Sequence, residues 1–328
     1  MSDAARVALR AMIDGYRGAQ MVAVAAELGL PDLIRSGPRT CAELAQRTGA
    51  NPDALRRLLR ALCALGVFER LPPDGMALNE LSRCLLADAP RSLQPWARLM
   101  LDQFYDAWGA LGEAVMSGGT AFEKVHGIDA WSHRGRNVRS GQLFSDAMAS
   151  DAVELSDAVS NAYDFRTVAT LVDVGGGDGT LAQALLQRHA HLNAIVLDAE
   201  VRGHVPMELA GRLSVVRGDF RAGVPRGAHC YVLSRVLHDW DDAGALGILQ
   251  NVARAMDAKS VALVIERIMT EDSPPLEFLI SDINMLVMNG GRERTQAEFA
   301  QLLSDAGLRL ERTLRTASPV SILEARRT

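Results

Sequence analysis

Glycines and acidic side chains are concentrated in one stretch, Leu171-Val-Asp-Val-Gly-Gly-Gly-Asp-Gly-Thr180. Its apolar start, rich in β-branched residues, predicts a buried strand, and the glycines that follow predict a tight turn. Glycine lets the backbone approach a ligand without a Cβ in the way, and Asp173 and Asp178 can accept hydrogen bonds from the ligand's polar groups. This combination predicts a nucleotide-type binding loop.

Two further acidic residues follow predicted strands. The glycines recur at every second position rather than in the dinucleotide fingerprint G-x-G-x-x-G, which argues against phosphate binding. Asp198 ends a short apolar strand 19 residues after the last of these glycines, where a carboxylate can accept from both ribose hydroxyls. Asp219 and Phe220 end a third strand and offer an acid and an aromatic ring for an adenine. Three strand ends at one crevice predict a nucleoside site.

The elements that position these residues alternate between strand and helix, which indicates a doubly wound parallel sheet. Strands are predicted near residues 170–174, 194–198, 213–217, 229–234 and 260–266. The last two strands, near 309–316 and 320–325, are separated by a short turn and should pair antiparallel. The predicted fold class is therefore α/β, a Rossmann-like sheet, mostly parallel, with an antiparallel C-terminal hairpin at its edge.

The N-terminal part has a different pattern. A helix is predicted over residues 4–28, and Thr40 with Glu43 forms the capping-box pattern of another. Asn51 before a proline starts the next helix, and residues 68–79 predict a β-hairpin wing. The predicted domains are a winged-helix-like domain over 1–95, a mainly helical connecting segment over 96–165, and the cofactor-binding domain over 166–328.

Composition and charge limit the possible functions. The chain has 328 residues, 48% of them hydrophobic and 23% charged, as in ordinary globular proteins, and its net charge of −5 argues against general nucleic-acid binding. The arginines Arg56, Arg57 and Arg60 on the predicted second helix of the winged helix could meet DNA phosphates, but a solvated helix face is favoured. The four scattered cysteines predict buried free thiols, and the absence of a signal or membrane segment predicts a cytoplasmic protein.

Four motifs carry a resemblance to a known family. They resemble, in the same order, motifs of the S-adenosylmethionine-dependent O-methyltransferases of the caffeate, hydroxyindole and polyketide-tailoring type. The likeness covers nearly the whole chain, and the antiparallel hairpin edge is similar to that of methyltransferases. The motifs are Leu171-Val-Asp-Val-Gly-Gly-Gly-Asp-Gly179, Gly218-Asp-Phe220, Leu237-His-Asp-Trp240 and Gly290-Gly-Arg-Glu-Arg-Thr295.

This resemblance implies an enzyme that methylates a hydroxyl of an aromatic small molecule, in secondary-metabolite biosynthesis. It implies S-adenosylmethionine as cofactor, S-adenosylhomocysteine as product, no metal, and a homodimer formed by the N-terminal domain. That domain's leading helix would also help to close the partner's substrate pocket. No nucleic-acid or membrane partner is implied.

His238 is the predicted general base. It follows the fourth parallel strand, where ligands of open α/β sheets lie, and a histidine with an ordinary pKa near 6.5 can remove a phenol proton as the oxygen attacks the methyl group. Such a base needs an acceptor on its other ring nitrogen. The resemblance places Glu266 and Glu293 beside the histidine. Asp239 is expected to serve the site, to cap the following helix, or both.

The resemblance also implies ligand contacts. For the cofactor these are Gly175, Asp198, Asp219, Phe220, Ser234 and Arg235. Two positions depart from the usual pattern. Asp198 is followed by Ala-Glu-Val-Arg rather than Leu-Pro, which would reshape the adenine edge. Ser234 stands where lysine is common, so that Arg235 is expected to reach the cofactor's polar end.

For the acceptor substrate, the resemblance implies contacts from the connecting segment and from the helix before the Gly-Gly motif. These residues are Phe144, Met148, Asp282, Met285 and Asn289. A core role for the methionine at 285 stays open. The sequence does not identify the acceptor, does not exclude nitrogen as the methylated atom, and does not say whether a substrate carboxylate pairs with Arg10 or Arg17.

Two other functions remain open. The first is an enzyme of the same fold that binds the cofactor but catalyses hydroxylation, decarboxylation or a pericyclic reaction. The second is a winged-helix regulator, which should bind DNA in a salt-sensitive way.

Overall fold

The structure, a computed structural model, describes residues 2–202 and 205–328. They divide into two units, of which the first ends at Tyr105 and the second begins at Asp106. Each unit has its own hydrophobic core, as a chain of this length allows. The three-part division at 95/96 and 165/166 stays a prediction.

The first unit contains the predicted helices and hairpin. Helix α3 (Cys41–Thr48) starts with the capping box of Thr40 and Glu43, and Asn51 caps α4 (Pro52–Ala64) as expected. Strands β2 (Phe68–Leu71) and β3 (Gly75–Leu78) form the antiparallel hairpin, and β1 (Arg39–Thr40) pairs with β3. In chain order the elements are α1 (Asp3–Glu27), α2 (Leu30–Ile34), β1 (Arg39–Thr40), α3 (Cys41–Thr48), α4 (Pro52–Ala64), β2 (Phe68–Leu71), β3 (Gly75–Leu78), α5 (Glu80–Arg83), α6 (Gln94–Leu99) and a π-helical turn (Met100–Phe104).

Helix α4 is amphipathic. Leu55, Leu59 and Leu62 are buried in the core of the first unit, as their spacing predicts. Arg56, Arg57 and Arg60 are all exposed on the opposite side. The favoured interpretation of these arginines as a solvated face therefore agrees with the burial pattern.

A seven-stranded sheet forms the centre of the second unit. Its strands are β4 (Thr170–Val174), β5 (Asn193–Asp198), β6 (Leu213–Arg217), β7 (Cys230–Ser234), β8 (Val261–Glu266), β11 (Leu308–Arg315) and β12 (Ser321–Arg327), and a separate parallel pair is formed by β9 (Ile268–Met269) and β10 (Arg294–Thr295). The strand order is β11-β12-β8-β7-β4-β5-β6, in which β12 pairs antiparallel with both β11 and β8 and all other pairs are parallel. The predicted fold class is confirmed.

Helices cover both faces of this sheet. Neighbouring residues of β4, such as Leu171 and Val172, belong to two different apolar clusters, because successive side chains of a strand point to opposite faces of the sheet. One cluster includes α13 (Asp242–Ala255) and α15 (Gln296–Asp305), and the other includes α12 (Thr180–Arg188) and the end of α11 (Val138–Ala162). The helices are α7 (Tyr105–Gly109), α8 (Leu111–Ser117), α9 (Ala121–His126), α10 (Ala130–Arg136), α11 (Val138–Ala162), α12 (Thr180–Arg188), α13 (Asp242–Ala255), α14 (Leu276–Met288) and α15 (Gln296–Asp305), with 3-10 turns at Phe165–Thr167, Met207–Leu209 and Leu237–Asp239.

The cysteines are only partly as predicted. All four are free thiols, and Cys41 and Cys230 are buried. Cys84 is exposed, so the expectation of burial is wrong for this residue. Among the helices of the described residues, none is both long and apolar enough to cross a membrane.

Candidate active site

The glycine turn after β4 is shaped for close approach. Gly175 has φ +71°, and a Cβ there would lie 2.8 Å from Val236 and 3.4 Å from the Phe220 ring. Gly177 has φ +58° and donates its N–H to Asp198 Oδ2 at 2.9 Å. Positive φ values and crowding both require glycine, so the predicted turn is built as its sequence indicates.

The predicted ribose and adenine residues lie around this turn. Asp198 ends β5 and also accepts from the Glu200 N–H at 3.0 Å. Asp219 forms an ion pair with Arg221 at 2.8 Å, and these hydrogen bonds lower the pKa of Asp219. Their contacts with a cofactor stay predictions.

Two buried polar atoms at neighbouring strand ends have no hydrogen-bond partner among the described residues. They are Asp173 Oδ2 on β4 and Ser234 Oγ at the end of β7. Burial, followed by the charges of Asp198 and Asp178, raises the pKa of Asp173 to about 7. Buried polar groups are normally paired, so these atoms fit a polar ligand at this edge of the sheet.

Arg235 marks a sharp bend in the chain. It has φ +53°, a strained value for a residue with a Cβ. Its guanidinium binds α11, with Nη1 2.9 Å from Asp151 Oδ2 and Nη2 3.5 Å from the Met148 carbonyl oxygen. The structure therefore ties Arg235 to the connecting segment, and a cofactor contact stays a prediction.

His238 lies in the 3-10 turn after this bend and is 8% exposed. Its Nδ1 is 3.1 Å from Glu293 Oε1 and 3.7 Å from Glu266 Oε2. Its Nε2 is 3.9 Å from Asp239 Oδ1, too far for a hydrogen bond. The structure thus brings together all four residues that the sequence placed at the catalytic site.

The two glutamates bind different partners. Glu266 ends β8 and is fully buried, and its Oε1 accepts from the N–H groups of Val236, Leu237 and His238 at 3.0, 2.9 and 3.3 Å. Three successive amides converging on one oxygen form an anion-binding nest. Glu266 therefore holds the backbone that carries the histidine.

Glu293 binds side chains instead. Its Oε1 accepts from the His238 ring and from Ser281 Oγ, at 3.1 and 2.6 Å, and Arg267 Nη1 lies 3.8 Å away. Its own N–H donates to Asp282 Oδ1 at 2.9 Å. The side chain of Asp282, predicted to contact substrate, thus holds the Glu293 backbone.

The charges of this cluster are strongly coupled. Burial lowers the pKa of His238, but the charges of Glu266 and Asp239 and the hydrogen bond to Glu293 outweigh it and raise the pKa to about 9. Burial raises the pKa of Glu266 to about 7. Burial also favours the neutral form of Glu293, yet its hydrogen bonds to His238 and Ser281 lower its pKa.

Asp239 faces the site rather than the helix. Its Oδ1 accepts from Asn289 Nδ2 at 2.5 Å, and burial raises its pKa. The cap of α13 is Asp241, which accepts from the Gly244 N–H at 2.8 Å. The expected capping role of Asp239 is therefore wrong, because the cap lies two residues later.

The Gly-Gly loop is joined directly to the histidine turn. A Cβ at Gly291 would overlap the carbonyl oxygen of His238 and lie 2.7 Å from the Trp240 nitrogen. Arg294 is fully buried and donates to the carbonyl oxygens of Leu237 and Trp240 at 2.9 and 2.8 Å. Sequence reasoning missed Arg294, although its place in the same motif as Glu293 was a usable signal.

Aromatic side chains flank the site on α10 and α11. Trp131 is stacked on Trp240 with ring centroids 6.4 Å apart and 14° between planes, and Phe144 meets the edge of Trp131 at 5.6 Å. The buried guanidinium of Arg134 lies 3.7 Å from the Phe144 ring centroid. Met285 on α14 is 7% exposed.

Arg202 joins the loop after Asp198 to the α10–α11 junction. Its guanidinium donates to the Arg134 carbonyl oxygen at 3.2 Å and pairs with Glu200 at 2.7 Å. A Cβ at Gly141 would collide with this guanidinium. Arg202 lies in the segment that stands in place of the usual Leu-Pro after Asp198, and it contacts α10. Sequence reasoning did not foresee this contact.

Among the described residues, the metal-ligating side chains that lie close enough together to surround an ion are those of His238, Glu266 and Glu293. The hydrogen bonds described above already engage Nδ1 and one oxygen of each carboxylate. We therefore assign no metal to this cluster, and the metal-free reaction stays a prediction.

The sheet order, the glycine turn and the ligand side at the strand ends define a Rossmann-like methyltransferase. The comparisons with known proteins agree. The family model described as an O-methyltransferase domain matches residues 108–309, and the model of the O-methyltransferase dimerisation domain matches residues 11–88. The chain belongs to the O-methyltransferase family, and it is an S-adenosylmethionine-dependent enzyme.

Similar proteins span nearly the whole chain. A mitomycin biosynthesis 6-O-methyltransferase of Streptomyces lavendulae is 38% identical, over 99% of this chain and 95% of that protein. A phenazine O-methyltransferase of Lysobacter antibioticus is 36% identical, over 96% and 94%. The solved structure of an O-methyltransferase from neocarzinostatin biosynthesis, with S-adenosylmethionine and 2-hydroxy-5-methyl naphthoic acid, has a TM-score of 0.83 and 34% identity, over 94% and 96%. The chain is thus similar to enzymes of secondary metabolism, and its dimerisation domain supports a homodimer.

Proposed function

We propose that this enzyme methylates a phenolic hydroxyl of an aromatic secondary metabolite, with His238 as general base. The observation that carries the proposal is the orientation of the imidazole. Nδ1 is bound to Glu293, whereas no hydrogen bond to Nε2 is found within residues 2–202 and 205–328. In the neutral ring, a proton on Nδ1 leaves the Nε2 lone pair for the acceptor's hydroxyl.

The cofactor would be held at the ends of β4, β5 and β7. The glycine turn supplies close backbone approach, Asp198 accepts from the ribose, Asp219 and Phe220 border the adenine, and the unpaired Ser234 Oγ can serve the amino-acid end. When bound, S-adenosylmethionine supplies an electrophilic methyl group. The tie between Arg202 and α10 supports a role of the connecting segment in covering this site.

The chain's own residues would then move one proton. His238 Nε2 takes the proton from the acceptor hydroxyl as the oxygen attacks, Glu293 stabilises the resulting imidazolium, and the nest around Glu266 keeps the turn in place. Asp239 and Asn289 offer a polar pair for a second group of the acceptor. Phe144, Trp131 and Met285 supply apolar and aromatic surface, and Met148 lies one turn further along α11.

The names of relatives support an aromatic acceptor but do not fix the methylated atom. Relatives include a 3-amino-4-hydroxybenzoate 4-O-methyltransferase of Streptomyces cremeus and a phenazine-1-carboxylate N-methyltransferase of Pseudomonas aeruginosa. Several such substrates carry a carboxylate. Arg10 and Arg17 are predicted candidates for binding one, although in this structure both pair with Asp14 on the exposed side of α1.

The first experiment is calorimetric titration with S-adenosylmethionine and S-adenosylhomocysteine, repeated for Asp198→Ala. We expect micromolar binding that the substitution weakens by about 100-fold, because a carboxylate that accepts two hydroxyls forms charge-assisted bonds. Asp305→Ala on the surface of α15 is the matched control. Unchanged affinity in Asp198→Ala would contradict the cofactor site.

Methyl transfer from labelled cofactor to a panel of hydroxylated aromatics then tests the base. His238→Ala should lower turnover by about 10² to 10⁴-fold while cofactor affinity is kept. His229→Ala, at an exposed position before β7, should leave turnover unchanged. Full turnover by His238→Ala, or a product without the label, would overturn the proposal and favour a non-methylating reaction. Salt-sensitive DNA binding would instead indicate the winged-helix regulator.

A further inference from the structure

The two glutamates beside His238 have very different surroundings. Glu266 is bound through Oε1 by three backbone amides. The second carboxylate oxygen of each glutamate has no hydrogen-bond partner among the described residues. Glu293 is contacted by a hydroxyl and, slightly further away, by a guanidinium. Glu293, unlike Glu266, is therefore supported by side chains other than His238.

Ser281 and Arg267 form a chain that ends on Glu293. Arg267 Nη1 donates to Ser281 Oγ at 3.3 Å, and Ser281 Oγ donates to Glu293 Oε1 at 2.6 Å. The serine is on the first half of α14, and the arginine directly follows β8. A short hydrogen bond to a carboxylate and a nearby cation both stabilise the ionised form of that carboxylate.

We propose that Ser281 and Arg267 are positioning residues that keep Glu293 ionised and fixed against Nδ1 of His238. The proposal rests on the proposed function, because it refines the role of the base, and it goes beyond it by adding two residues that touch neither ring nitrogen. It also gives the two glutamates different roles: Glu293 stabilises the imidazolium, and Glu266 holds the backbone of the turn that carries His238.

The charged groups that face His238 come from three sides. Asp239 follows it in the chain, Glu266 lies on β8, and Glu293 lies in the Gly-Gly loop. Arg267 stands behind Glu293, and Arg134 is the cation that acts on Asp239. Glu293 supplies part of the negative charge that stabilises the imidazolium, so removing the support that Arg267 or Ser281 gives to ionised Glu293 makes the imidazolium less stable.

The test is a pH series on three variants of the full-length enzyme. Ser281→Ala and Arg267→Met should each move the acid limb of the turnover profile, and the titration of His238 followed by NMR, downward by about one pH unit. Ser281→Thr keeps the hydroxyl and should restore the wild-type position. Arg309→Met removes an exposed arginine paired with Glu311 and should shift neither.

The outcomes separate this proposal from the proposed function. If His238→Ala keeps full turnover, the base itself is wrong. If His238→Ala is inactive but Ser281→Ala loses turnover with no shift of the acid limb or of the NMR titration, Ser281 has a purely structural role. The proposed positioning role is then overturned. Alanine is a better helix former than serine, so that Ser281→Ala is expected to fold.

Discussion

At the scale of single residues, the site depends on one imidazole held between buried carboxylates. A general base must have a neutral imidazole, but the carboxylates around His238 favour its protonated form. Because a raised pKa means that the proton is held more tightly, the fraction of neutral imidazole is small at pH 7 and increases as the pH rises through about 9. We therefore expect His238 of the free enzyme to be mostly protonated at pH 7.

This gives a pH prediction for the free enzyme. An NMR titration of the histidines should show one with a midpoint near 9, and this resonance should be missing in His238→Asn. Turnover should rise with pH over the same range and flatten above it. A midpoint near the ordinary value of about 6.5 would contradict the coupling to the acids.

The sequence predicted these residues but not their division of work. The resemblance to the methyltransferases placed Glu266 and Glu293 beside His238, and the structure does bring the three residues together. The roles of Ser281 and Arg267 are not visible in the sequence, since they arise where α14 passes the end of β8. Side-chain partners across elements depend on packing, which spacing alone does not encode.

At the scale of elements, the histidine turn and the Gly-Gly loop behave as one unit. The Arg292 N–H donates to the His238 carbonyl oxygen at 2.9 Å, and Arg294 binds two further carbonyls of the turn. At Gly291 the loop backbone lies so close to the backbone of the histidine turn that there is no room for a Cβ.

Gly291→Ala should therefore be costly. The added methyl group must displace the backbone around His238, and we expect a loss of about 3 kcal/mol in the free energy of unfolding together with lower turnover. Gly247→Ala, in α13 with no atom within 4 Å of the new Cβ, is the matched control. It should be neutral or stabilising by about 0.5 to 1 kcal/mol. Equal denaturation midpoints for both variants would show that the contact is easily relieved.

Elements themselves were largely predictable. All seven strands of the large sheet, the two capped helices and the hairpin lie where periodicity and capping residues put them. The parallel pair of β9 and β10 was missed, because each strand has two residues and no periodicity to detect. The N-cap of α13 was misplaced because Asp239, Asp241 and Asp242 lie close together and aspartate is a suitable N-cap residue at each position.

At the scale of the whole molecule, the first unit leaves an apolar surface open to solvent. Met12 and Ile13 on α1 are 77% and 58% exposed, and Val7, Leu9 and Tyr16 on the same helix are also exposed. A patch of this kind is expected to be covered by another protein surface. The match to a dimerisation domain over residues 11–88 agrees with a homodimer.

Met12→Glu tests this assembly. Light scattering should give the wild type twice the 35.4 kDa mass of the chain, and the variant a single chain, since a buried unpaired carboxylate opposes association. Arg47→Glu introduces the same side chain at an exposed position of another helix, α3, and should stay dimeric. A dimeric Met12→Glu variant would place the interface elsewhere.

The paired indoles of Trp131 and Trp240 provide an intrinsic optical probe. Two indole rings held 6.4 Å apart in a fixed, asymmetric environment should contribute to the near-ultraviolet circular dichroism of the folded enzyme. One chromophore belongs to α10 and the other directly follows the histidine turn. The signal therefore records, without any label and in real time, whether the helix that borders the active site is seated against it.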